Sequence, residues 1–159
     1  MVVQGVAGIV VFTAASALMV AVVPRDRAQR FLGVGLVGGL GVAVALVFLM
    51  ESVFGFWDFR GADIRILGVP AFLTLAWIPI VITYSHWLTE SRSTVAAAAS
   101  LLAFPLAAVA THLALLRLDL LAYNSWTLVM TFTISLGIHL AIGAYLHATG
   151  QLPNLRGIT

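Results

Sequence analysis

The chain has 159 residues, of which 62% are hydrophobic and only 9% are charged. A typical soluble domain is about 25% charged, so this composition excludes an ordinary soluble enzyme and a disordered protein. The 8 basic residues are all arginine and mostly scattered, net charge is +2 and cysteine is absent, which excludes a nucleic-acid-binding surface and cysteine-based redox or metal chemistry.

Five apolar stretches follow one another along the chain. Each is long enough to cross the hydrocarbon core of a bilayer, which takes about 20 apolar residues in a helix. The stretches are continuous, whereas the strands of a membrane β-barrel would alternate apolar and polar residues. The sequence therefore predicts an all-α polytopic membrane protein, a single domain built as a bundle of five transmembrane helices. The predicted spans are residues 2–23, 31–54, 67–87, 94–116 and 126–147.

The arginines set the expected orientation, because short cytoplasmic loops are enriched in Lys and Arg. One end of the predicted bundle carries Arg25, Arg27, Arg30, Arg92 and Arg156, and the other carries Arg60, Arg65 and Arg117. We therefore expect a multi-pass protein of the plasma membrane, with its N-terminus outside and its C-terminus in the cytoplasm. The first span has no basic flank on its N-terminal side, so we expect no cleaved signal peptide.

The second predicted span carries five glycines, of which Gly35 and Gly39 lie about one helical turn apart. Small residues at this spacing let two membrane helices approach closely. One interpretation is packing within the monomer, against the Ala-rich first span. The other is a homodimer, or a contact with a partner membrane subunit, through this pair.

Glu51 lies at the apolar end of the second span, where a charge is costly to insert. It is either a proton donor or acceptor at a functional site, or an interfacial carboxylate paired with Arg60 or Arg65. The segment that follows alternates aromatic and charged residues. This pattern fits an aromatic belt with an Asp58–Arg60 surface pair, or a lid whose aromatic faces contact a polyene or a cation.

Proline interrupts the third and fourth spans at Pro79 and Pro105, each roughly 17 Å from the outer end of its span at 1.5 Å per residue. A proline inside a helix removes one backbone hydrogen bond and bends the helix. Two bends at matching depth predict a pocket near the midplane, with Trp77 and Thr74 close to it. Ordinary bending of transmembrane helices is the alternative.

The histidines are expected to be hydrogen-bonded interior residues rather than metal ligands. His112 lies near the outer end of the fourth span, where Glu51 or Asp119 is its expected partner. His139 lies well inside the fifth span. It differs in depth from His86 by roughly 7 Å, which is poor geometry for the two axial ligands of a haem. We therefore predict no metal and no cofactor.

The stretch from Glu51 to Trp77 resembles part of the carotenoid-biosynthesis membrane family that includes the bacterioruberin-type carotenoid hydratases. The pattern consists of a membrane-end acid, a glycine with alternating aromatics, and then Leu-Gly-Val-Pro and Leu-Ala-Trp. In this chain the pattern reads Glu51, Gly55-Phe56-Trp57-Asp58-Phe59, Leu67-Gly68-Val69-Pro70 and Leu75-Ala76-Trp77.

This resemblance implies hydration of a terminal isoprenoid double bond. A carboxylic acid would protonate the alkene, aromatic faces would shield the tertiary cation, and water would capture it. The implied catalytic residues are Glu51 as the acid, Asp58 as the second choice, and His112 to orient the water. Trp57, Phe59 and Trp77 would line the polyene site, and Thr74 is the further substrate-binding candidate beside the predicted pocket.

A non-enzymatic role is the alternative. The small size, the minimal loops and the glycine-faced second span fit an accessory or structural subunit of a larger membrane complex, or a lipophile-binding protein without turnover. A small transporter is a third interpretation, but only His139, Thr74 and a few hydroxyls lie near the midplane. The expected partners are membrane lipids, an apolar ligand and a second membrane subunit, with no nucleic acid.

Overall fold

Five helices make up most of the computed structural model, which describes residues 5–61 and 63–152. They are α1 (Val6–Val22), α2 (Arg25–Val53), α3 (Ala71–Glu90), α4 (Thr94–Arg117) and α5 (Leu128–Ala148). Helices α2 to α5 are long and apolar enough to cross a membrane. Helix α1 has 17 residues, or about 26 Å of rise, which is shorter than a hydrocarbon core of about 30 Å.

The predicted helical class is confirmed, with four membrane-length helices rather than five. The beginning of the predicted first span, residues 2–4, and Arg156 lie outside the described residues. Helix α2 starts at Arg25 instead of residue 31, because Pro24 precedes a first turn in which Asp26 suits the positive helix N-terminus. Helix α3 starts at Ala71 instead of residue 67, because the preceding residues form a hairpin.

Two small antiparallel sheets lie at one end of the bundle, which we call the capped end. They are built from β1 (Trp57–Phe59), β2 (Arg65–Ile66), β3 (Val69–Pro70) and β4 (Leu121–Tyr123). Strand β1, after α2, pairs with β4, after α4, so that Trp57 lies opposite Tyr123. Strands β2 and β3 form the hairpin before α3. The sequence analysis predicts no strands here, and the pairing of β1 with β4 joins distant segments, which leaves no local signal.

Short turns at the opposite, uncapped end join α1 to α2 and α3 to α4. Arg27 on α2 pairs there with Glu90 on α3, with 2.9 Å between Nη2 and Oε1. Both side chains are substantially exposed, so this pair contributes little to stability. Three further arginines lie at or near this end: Arg25 and Arg30 on α2, and Arg92 in the turn between α3 and α4.

The core has two apolar clusters, one in each half of the bundle. Phe31, Tyr84 and Leu146 are buried in the cluster toward the uncapped end. Trp57 and Leu121 belong to the cluster beneath the sheets. The outer surfaces of the helices, in contrast, expose large apolar side chains, among them Val20 at 76% and Val129 at 72%. A surface this apolar suits lipid rather than water.

Gly35 and Gly39 allow α2 to pack closely against α3. A Cβ atom at position 35 would lie 2.8 Å from Cγ1 of Ile82, and one at position 39 would lie 2.7 Å from the carbonyl oxygen of Trp77. The contact is therefore within the chain, as one interpretation expects, but its partner is α3 and not the Ala-rich first helix. A second subunit meeting at these glycines would have to displace α3.

The two prolines inside the spans behave differently. Helix α3 is interrupted at Ala76, between the segments Ala71–Leu75 and Trp77–Glu90, just before Pro79. Pro105, which is also buried, lies inside α4, and this helix is continuous through the proline. The interruption of α3 lies where the sequence predicts a bend.

Candidate functional site

A cavity of about 370 Å³ lies among the five helices. Every helix and strand β1 contribute to its wall, which is mostly apolar: Val11 on α1, Val47 on α2, Ile80 on α3 and Phe104 on α4 are examples. Ligand sites for small molecules fall in the range of about 300–1,000 Å³ and are mostly apolar with a few polar groups. The cavity therefore has the size and wall of a small-molecule site.

Four of the predicted site residues line this cavity: Trp57, Phe59, Trp77 and His112. Successive side chains of a strand point to opposite faces, so β1 buries Trp57 and Phe59 while Asp58 between them faces outward. The indole ring of Trp57 contacts the His112 ring edge-on, with 5.2 Å between centroids. Aromatic groups thus line the cavity toward the capped end.

The structure places the predicted acids outside the cavity. Glu51 pairs with Arg65 through Oε1, which also accepts a hydrogen bond of 3.2 Å from the backbone N–H of Phe59. This is the interfacial ion pair that the sequence left open as the second interpretation. Asp58 is half exposed and accepts a 2.9 Å hydrogen bond from Nε of Arg60, as the surface-pair interpretation expects.

Thr74 is buried but does not line the cavity. Its hydroxyl donates to the carbonyl oxygens of Pro70 and Ala71, each at 2.9 Å. Both acceptors lie within the first turn of α3 or directly before it, so the hydroxyl is already used by its own helix. The single hydroxyl proton of Thr74 is therefore used within its own helix, and the residue lies outside the cavity lining.

His112 belongs to a hydrogen-bonded chain, and its partner is neither Glu51 nor Asp119, which the sequence analysis expected. Its Nδ1 lies 2.6 Å from the hydroxyl of Tyr123, which lies 2.7 Å from Oγ1 of Thr131. Burial raises the pKa of Tyr123, which keeps its hydroxyl protonated and able to donate. The prediction failed because β4 brings Tyr123 to His112 and turns Asp119 outward, where Asp119 meets Arg60.

His139 lies at the centre of the bundle with only 1% of its surface exposed. Its Nδ1 donates to the backbone carbonyl of Ser135, at 2.7 Å. The ring of Tyr84 packs edge-on against it at 4.7 Å, and the ring of Phe104 stacks at 5.6 Å, both between centroids. The hydrogen bond to Ser135 confirms the hydrogen-bonded interior histidine that the sequence analysis expected. The sequence did not reveal that His139 also lines the cavity.

Three lining residues each keep one buried polar atom without a hydrogen-bond partner within the described residues. The atoms are Nε1 of Trp57, Oγ of Ser135 and Nε2 of His139. Buried polar atoms are nearly always paired, because an unpaired one costs about 1–3 kcal/mol. The sequence analysis did not identify Ser135, because a serine inside an apolar helix is unremarkable until its neighbours are known.

Asp63 is a buried carboxylate that the sequence analysis did not single out. Its Oδ1 accepts a 2.7 Å hydrogen bond from the N–H of Ile64, and Oδ2 accepts one of 2.6 Å from the N–H of Leu73. It thereby caps the first turn of α3. The carboxylate lies against Gly8 of α1, where a Cβ atom would collide with it. Burial raises the pKa of Asp63, and its contacts define a structural role.

Among residues 5–61 and 63–152, no group of three His, Asp or Glu side chains is placed to hold a metal ion. The lining residues also include no Asp or Glu. Comparison of the chain with protein-family models, with curated proteins and with solved structures found no match. The geometry of the cavity is therefore the basis for a functional argument.

Proposed function

We propose that this chain is an integral membrane protein that binds a lipophilic, isoprenoid-like ligand in the cavity among its helices. The observation that carries the proposal is an apolar wall with three buried polar atoms, on Trp57, Ser135 and His139, that have no partner among residues 5–61 and 63–152. An apolar ligand with a polar group would cover the wall and supply the missing hydrogen bonds. The resemblance of residues 51–77 and the aromatic rings that line the cavity support the isoprenoid class.

Binding is favoured over acid-catalysed hydration. Protonation of an alkene needs an acid that can reach the substrate, yet the lining residues include no Asp or Glu. Glu51 is engaged by Arg65 and by the backbone of Phe59. Ligand binding without turnover fits these contacts.

We further propose that all five helices span the plasma membrane, with the capped end outside and the uncapped end in the cytoplasm. The first helix is short, but a bilayer thins locally around a short helix at a cost of only fractions of a kcal/mol per Å. The cluster of Arg25, Arg27 and Arg30 at the uncapped end supports the orientation, because cytoplasmic loops are rich in arginine.

The proposal is tested by titrating the protein in lipid nanodiscs with all-trans-retinol, an isoprenoid alcohol whose absorption overlaps tryptophan emission. Because Trp57 and Trp77 line the cavity, we expect saturable quenching of tryptophan fluorescence. Ala108→Phe, which fills part of the cavity, is expected to weaken binding by at least about tenfold, since a bulky ring and the ligand cannot share the space.

The matched control is Ala110→Phe on the same helix, at an exposed position outside the cavity lining. It is expected to leave binding unchanged. Size-exclusion profiles check that both variants remain folded. Non-saturable quenching that is equal in the wild type and in both variants would mean that retinol only partitions into lipid, and the proposed function would then be wrong.

A further inference from the structure

The polar atoms of His139 and Ser135, two residues that line the cavity, differ in what they can bond. Nδ1 of His139 donates to the carbonyl oxygen of Ser135, at 2.7 Å. A carbonyl oxygen only accepts, so Nδ1 carries the proton, and Nε2 of the neutral ring can only accept. The hydroxyl of Ser135 can both donate and accept. Nε2 and the Ser135 hydroxyl oxygen are both buried without a partner in the part of the chain that the structure describes.

The histidine ring is held in this arrangement by its neighbours. The ring of Phe104 stacks on the imidazole ring and the ring of Tyr84 packs edge-on against it. The ring of Trp77 lies 6.4 Å from it, measured between centroids. The hydroxyl of Tyr84 also donates to the backbone carbonyl of His139, at 2.8 Å, which ties α5 to α3. The acceptor at Nε2 is therefore a fixed feature of the site, which suits it to recognition.

A ligand oxygen that satisfies both residues must give a proton to Nε2 of His139 and can accept one from Ser135. A hydroxyl group does both, whereas a ketone, ester or ether oxygen only accepts and leaves Nε2 unpaired. We propose that the cavity selects a lipophile that carries a hydroxyl group, with that hydroxyl held between His139 and Ser135. This inference rests on the proposed function, since it specifies the ligand of the same cavity.

The test compares all-trans-retinol with its methyl ether, which has the same polyene but cannot donate. We expect the wild-type protein in nanodiscs to bind the alcohol more tightly, on the order of tenfold, because the ether leaves a buried acceptor unsatisfied. His139→Leu is expected to remove this preference by weakening the alcohol to the level of the ether. Ser135→Ala is expected to weaken both compounds and to keep the preference.

The matched control is His147→Leu, the same substitution at an exposed position in the last turn of α5. It is expected to change neither affinity. Equal wild-type affinity for the two compounds, or an unchanged preference in a folded His139→Leu variant, would overturn the hydroxyl selectivity and leave the proposed function standing. If His139→Leu does not fold, the wild-type preference and Ser135→Ala decide. Saturable binding of neither compound would overturn both proposals.

Discussion

Three polar side chains of this protein, those of Glu51, Ser135 and His139, lie in largely apolar surroundings. Glu51 lies outside the cavity, where Arg65 and the Phe59 backbone satisfy its Oε1, while its Oε2 is buried without a partner among the described residues. His139 and Ser135 differ in position, because each carries its unpaired polar atom on a residue that lines the cavity. The ion pair of Glu51 therefore joins α2 to β2, whereas the unpaired atoms of His139 and Ser135 are those that the proposed ligand would meet. Sequence analysis alone could not separate these cases, since all three residues are polar groups in apolar surroundings.

Gly39 provides a test of packing at the level of one residue. Gly39→Ala places a Cβ atom 2.7 Å from the carbonyl oxygen of Trp77, a backbone atom that cannot move without shifting α3. We expect a loss of stability of about 1–3 kcal/mol, seen as a lower melting temperature in detergent micelles. Gly33→Ala on the same helix meets nothing within 4 Å and is expected to be neutral or slightly stabilising. Equal losses in the two variants would contradict this account of the helix contact.

At the level of secondary structure, the capped end determines what faces the cavity. The pairing of β1 with β4 points Trp57 inward and brings Tyr123 to His112. Asp63 fixes the start of α3 through hydrogen bonds to the backbone N–H groups of Ile64 and Leu73. The predicted helix boundaries agree with the structure to within six residues. The pairing of β1 with β4 and the hydrogen bond between Asp63 and Leu73 were not predictable, because they join segments that are separated along the chain.

The carboxyl group of Asp63 predicts how stability depends on pH. Burial raises its pKa above the ordinary value of 3.8. The folded protein thus binds this proton more tightly than the unfolded chain, so the stability contribution is complete below the ordinary pKa and is lost as pH rises through the raised one. We expect the melting temperature of the wild type, measured relative to Asp63→Asn, to fall as pH rises across this window. A difference that is constant or grows with pH would show that the raised pKa is wrong.

For the whole molecule, the distribution of arginine and the alternation of the helices give the proposed orientation. Because the chain has no cysteine, single cysteines can report it without interference. In intact cells, we expect a membrane-impermeant maleimide to label Leu118→Cys, at the exposed capped end, and not Thr149→Cys at the uncapped end. Labelling of both after membrane disruption is the control for reactivity. The reverse pattern in intact cells would invert the orientation.

The sequence by itself determined the helical class and the apolar character of this protein. Low charge and continuous apolar runs are local properties, and they favour helices that are apolar enough to cross a membrane. The sequence also identified Trp57, Phe59 and Trp77 as candidate residues for lining a ligand site. Only the tertiary structure decided that these rings share a cavity with His139 and Ser135, and that Glu51 lies outside it. The reason is physical: a cavity and its unpaired atoms arise from the packing of five helices and a distant strand pair, and no local stretch of sequence encodes that packing.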